Sequence, residues 1–68
     1  MLVHHGNEVY NFDMVLRFYT MWGKTIQLEG EATRGTIGSL MFPSKKEAEE
    51  AMDKIVQGYA DGKRVVEV

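Results

Sequence analysis

Ser44-Lys45-Lys46-Glu47-Ala48-Glu49-Glu50-Ala51-Met52-Asp53-Lys54-Ile55-Val56-Gln57-Gly58-Tyr59 is the one stretch of this chain with sustained helical periodicity. Ser44 stands three residues before Glu47, the capping-box spacing, in which the hydroxyl accepts a free backbone N–H of the first turn. Ala48, Ala51, Met52, Ile55 and Tyr59 fall at intervals of three and four, and Lys45, Lys46, Glu49, Glu50, Asp53, Lys54 and Gln57 occupy the remaining positions. One face of the helix therefore packs and the other is solvated. Gly58 weakens its last turn, and Gly62 is placed to close it in a left-handed conformation.

Everything before Ser44 reads as strand. Leu2 to His5 is a short apolar start, and Gly6-Asn7 suits a tight hairpin turn. Glu8 to Phe12 interleaves polar and apolar residues up to Asp13. Met14 to Trp22 carries apolar side chains on both parities, and its β-branched and aromatic content, with the stop at Gly23-Lys24, favours a strand over a helix. Thr25 to Glu29 alternates cleanly, with Ile26 and Leu28 on one side. After a polar loop over Gly30 to Gly35, Thr36 to Phe42 resumes strand character, with a bulge marked by Gly38. Arg64 to Val68 forms a short extended tail. The expected fold is α+β: an antiparallel sheet of four to five strands followed by one C-terminal helix packed on one face, in a single domain over 1–68.

The composition bounds what such a domain can do. The chain has 68 residues, of which 44% are hydrophobic and 26% charged, so it holds one core at most. It has no cysteine, which removes disulfides, thiolate metal sites and a cysteine nucleophile. Eight Lys and Arg against ten Asp and Glu leave a net charge of −2, and a broad positive field for phosphate backbones is missing. No apolar run approaches the ~20 residues of a membrane span, and Met1 to His5 lacks a secretory pattern. A cytosolic location is expected, with no membrane partner and no cofactor.

Asn11-Phe12-Asp13, a strand pair, Phe42-Pro43-Ser44, Glu47-Ala48-Glu49-Glu50-Ala51-Met52 and Gly62-Lys63-Arg64-Val65-Val66-Glu67-Val68 follow one another in an order that resembles a group of small phage and prophage proteins. In that group a meander of strands ends at a phenylalanine-serine step, and an acidic alanine-rich helix leads through a glycine to a valine-rich tail. The resemblance covers most of the chain and mainly encodes the fold. It implies action by binding: inhibition of a host factor in antiviral defence, or sequestration of its nucleotide signal. Phe18-Tyr19, Trp22-Gly23-Lys24 and Ile37-Gly38-Ser39 more faintly resemble the DNA-binding WGR domain, with a lysine where the family has its arginine. The order of strands and helix is also similar to coactivator-type single-strand DNA binders.

A single helix covers one face of a sheet. With Leu16, Phe18, Ile26, Leu28, Leu40 and Phe42 turned toward it, Val15, Tyr19, Ile37 and Met41 remain on the opposite face, and Met21 adds a pliable contact beside them. An apolar patch of that kind marks an interaction site, so a homodimer or higher assembly built through the sheet is expected, with Val15, Tyr19, Met21, Ile37 and Met41 at the interface.

Arg34, Thr36 and Arg64 offer a cation, a hydroxyl and a second cation, and Tyr10 a planar ring. At a subunit junction these four suit a small anionic ligand. Ordinary turn chemistry and solvated terminal charge are the plainer readings of the same residues. His4 and His5 are adjacent, so on a strand they point to opposite faces and do not share a metal. No catalytic constellation is legible, because most acids lie on the solvated helix face and Ser44 is a cap. The expected function is that of a non-catalytic, oligomeric binding protein whose partner is a host protein or a small anionic ligand. The alternatives are a single-strand nucleic-acid module, disfavoured by the acidic balance, and a structural phage subunit.

Overall fold

The computed structural model describes residues 1–30 and 35–68. Strands β1 (Leu2–His5) and β2 (Glu8–Asn11) form a hairpin, and a 3₁₀ turn at Phe12–Met14 leads into β3 (Arg17–Met21), β4 (Thr25–Gly30) and β5 (Gly35–Met41). Helix α1 (Lys45–Ala60) and strand β6 (Val65–Glu67) complete the chain. The fold is α+β with one C-terminal helix, as expected. The single sheet is corrected to two: among the described residues six strands form sheets of order β2-β1-β6 and β3-β4-β5. Among the described residues no helix is long and apolar enough to cross a membrane.

The division falls after β2: among the described residues the β1–β2 hairpin pairs with no strand of β3-β4-β5, and the segment expected as a short extended tail joins it as a third strand. β6 lies parallel to β1, with Leu2 opposite Val65 and Val3 opposite Val66. The expected strand over Met14 to Trp22 also begins later. Asn11 caps the 3₁₀ turn, its side-chain oxygen accepting from the Asp13 N–H at 3.0 Å. That turn consumes Phe12 to Met14 and sets the phase of β3 at Arg17.

Helix α1 starts where the sequence places it. The Ser44 hydroxyl accepts from the Glu47 N–H at 3.2 Å. At the other end Gly62 has φ +71°, and Lys63 and Gly62 donate to the carbonyls of Gly58 and Tyr59, which closes the last turn. Of the expected stripe, Ala48, Ala51 and Ile55 are buried and Met52 is half-buried, but Tyr59 is 78% exposed. Gly58 is buried in its place: a β-carbon there would collide with Val66 Cγ2, so glycine lets β6 press against the helix.

Val3, Ile26, Leu28, Leu40, Ala51 and Ile55 form one core drawn from both sheets and the helix. Two further contacts join the sheets. The Tyr10 ring of β2 lies over Gly38 of β5, where a β-carbon would stand 2.5 Å from the ring. The His5 ring meets Phe42 at 4.6 Å between centroids, and its two nitrogens stand 2.9 Å from the Met41 carbonyl oxygen and 2.8 Å from a Val68 oxygen. The β4–β5 ladder slips between Leu28 and Glu29, which leaves Ile37 unpaired one residue from the expected bulge.

Gly38→Ala is expected to destabilise the fold by about 1–3 kcal/mol, the usual cost of overfilling a close contact. Denaturant unfolding measures it, and an unchanged midpoint would show that Tyr10 gives way freely.

Candidate functional site

The uncovered face of β3-β4-β5 is built in rows by the strand register. Met21, Thr25 and Met41 form one row, Tyr19, Gln27 and Ser39 the next, and Arg17 and Glu29 a third. Of the five expected interface residues, Tyr19, Met21 and Met41 share this face, and Met41 is 72% exposed. Val15 is corrected: it precedes β3, beyond the 3₁₀ turn, and packs against the core. Ile37 is corrected as well, because the register slip turns its side chain over Gly30.

Within the face, Glu29 is held on two sides. The Tyr19 hydroxyl donates to Glu29 Oε2 at 2.8 Å, Arg17 reaches Oε1 at 3.1 Å, and the guanidinium carbon lies 4.6 Å from the centre of the Tyr19 ring. The hydrogen bond from Tyr19 is the main cause that holds the Glu29 carboxyl below its ordinary value; desolvation opposes it, and the hydrogen bond and charge of Arg17 add to the lowering. The same bond pushes the Tyr19 phenol up. This carboxylate is ionised and engaged, which suits a surface more than a proton-transfer group.

A second surface is a groove of about 330 Å³ between the 3₁₀ turn, the start of β3 and the last turns of α1. Phe12, Val15, Phe18 and Ile55 line it, with Leu16, Val56 and Tyr59 at 66%, 55% and 78% exposure. Phe12 and Phe18 meet edge to face at 5.4 Å. Asp13 also lines the groove and accepts from the Met1 amino group at 2.9 Å. The expectation that Leu16 and Tyr59 are covered is corrected: both stand exposed on the border of this groove, which parts the start of β3 from the last turns of α1. Val56, outside the apolar stripe yet beside Tyr59, was the signal in the sequence.

Trp22 is the third feature. It sits in the β3–β4 turn at φ +57° and is 85% exposed. A bulky side chain in left-handed backbone costs roughly 1–2 kcal/mol, and Asn, Asp or Gly would avoid most of it. Around it the segments Thr20 to Leu28 and Leu40 to Lys46 hold Lys24, Lys45 and Lys46 and none of the ten acids.

Of the four expected ligand residues the structure describes Tyr10 and Arg64, and it places them apart. Tyr10 is turned inward over Gly38 and its hydroxyl donates to Glu8 Oε2 at 3.2 Å; burial first, then Glu8, pushes that phenol up. Arg64 precedes β6 on the opposite edge of the same sheet. Arg34 and the side chain of Thr36 lie outside the described residues. His4 faces Glu67 at 3.4 Å while His5 faces Met41 and Val68, and among the described residues no three His, Asp or Glu gather as a metal set.

A carboxyl held below its ordinary value stabilises the fold fully above the unfolded range and loses that contribution as pH falls through the lowered value. Wild type is therefore expected to exceed Glu29→Gln in stability at neutral pH, with the gap closing in acid. Thermal melts of both proteins across that range check it, and a gap independent of pH would refute it.

A scan against protein-family models finds no match for this chain, and searches of curated proteins and of solved structures find none either.

Proposed function

We propose that this chain is a non-catalytic binding protein that works as an assembly of its own copies, in the inhibitor mode that the likeness to small phage proteins implies. The observation that supports the reading is the groove bordered by Leu16, Val56 and Tyr59. Among the described residues ten large hydrophobics are exposed against eight hydrophobics buried, so a lone copy leaves much of its apolar surface in water. Leu16, Val56 and Tyr59 stand together on the groove's border at 66%, 55% and 78% exposure, and contiguous apolar surface left in water is what a partner covers.

Of the two modes, docking on a protein is better supported than trapping a nucleotide. Tyr10 is occupied over Gly38, and the carboxylate of Glu8 on its hydroxyl would repel an anion.

Sedimentation at high micromolar concentration is expected to return a mass above 7.8 kDa for the wild type and the monomer mass for Leu16→Glu with Tyr59→Glu, both folded by circular dichroism. A folded wild-type monomer would overturn the assembly. Calorimetry against cyclic and linear nucleotides is expected to show no saturable site, and a site lost on Arg64→Ala would overturn the preference for a protein partner.

A further inference from the structure

The assembly proposed above leaves open which surfaces meet, and β3 supplies an answer. It is an edge strand, paired among the described residues on one side only, with β4. An open strand edge is a template for another strand. The apolar groove lies at its beginning, beside Leu16, and the Trp22 turn lies at its end. At about 3.3 Å per residue the two are roughly 20 Å apart, too far for Trp22 to fill the groove of its own chain.

We propose that two copies pair antiparallel along their β3 edges, about a two-fold axis at Tyr19, and that each Trp22 seats in the groove of the other copy. The inference rests on the assembly reading above. Pairing about Tyr19 sets Arg17 opposite Met21 and Leu16 opposite Trp22, and it carries Lys24 toward Asp13 of the second copy. No like charges are placed opposite each other in this register. Each indole meets apolar walls, and the turn that holds Lys24, with Lys45 beside Gly23, approaches a body in which the remaining acids outnumber the cations. The contact is isologous and closes at two subunits. Two indoles at about 200 Å² each, with the groove rims they cover, bury on the order of 1,000 Å² in all, the lower bound of a specific interface. The strained backbone at Trp22 then has a use that the isolated fold does not give it.

The chain has no cysteine and one tryptophan, so two clean probes exist. Directly opposite residues of an antiparallel pair have Cα atoms about 4.5–5.5 Å apart, within disulfide range. Tyr19→Cys is expected to oxidise to a covalent dimer, and Ser39→Cys, on β5, is not. Trp22 emission is expected to shift to the blue as wild-type concentration rises through the dimer range. Trp22→Asn should raise the dissociation constant at least tenfold while its melting temperature, measured where the protein is monomeric, stays level or rises. If the wild type assembles but Trp22→Asn does so equally well and Tyr19→Cys fails to cross-link, this contact is overturned and the assembly reading stands. A wild type that stays monomeric overturns both. A drop of about 4 °C or more in the melting temperature of monomeric Trp22→Asn would show the indole to be part of the fold, and would also overturn the proposal.

Discussion

One helix of sixteen residues must shield two three-stranded sheets, and most of the structure follows from that shortage of cover. The buried stripe of α1 is narrow and made largely of small residues, Ala48, Ala51 and Gly58, with Ile55 as its one large member. Small side chains bring β4 and β6 close to the helix axis, which tightens the core but leaves little width at its sides. The sheets are therefore also joined directly, through Tyr10 on Gly38 and His5 against Phe42, contacts that need no helix at all.

Where cover ends, apolar residues are left at the border. Leu16 shares its parity with Phe18, yet Phe18 packs against the core while Leu16, just before β3, stands exposed on the border of the groove. The opposite face of the same sheet is handled differently: Arg17, Tyr19 and Glu29 form a linked polar group that keeps one end of it hydrated, while Met21 and Met41 leave the other end apolar. The molecule thus has a polar and an apolar end on one sheet, and its lysines gather around Trp22 at the apolar one.

The helix was legible to its caps, since Ser44, Glu47 and Gly62 act through local backbone geometry that spacing alone reveals. The strands were legible as strands, and Ile26, Leu28 and Leu40 as core. The division into two sheets was not, because pairing of Val65 to Glu67 with Leu2 to His4 is a relation between distant residues that no local pattern encodes. The faces of β3 were read partly wrong for a related reason. A 3₁₀ turn three residues long resets the alternation, so Val15 turns inward although the parity of the run sends it out. Tyr59 keeps the helical spacing of a buried residue and lies outside because a stripe says which face packs, not how far the partner surface extends. At Trp22 the sequence showed an aromatic beside a glycine; that it is exposed and that its own backbone is left-handed are properties of the turn, visible only once the turn is built.

The parallel ladder of β1 with β6 joins residues separated by sixty-three positions, whereas the other ladders join neighbours in the chain. Loop-closure entropy makes a pairing of that span costlier to close than the local hairpins. Val66, which closes on Gly58 of α1, is thus held by the pairing that costs most to bring together.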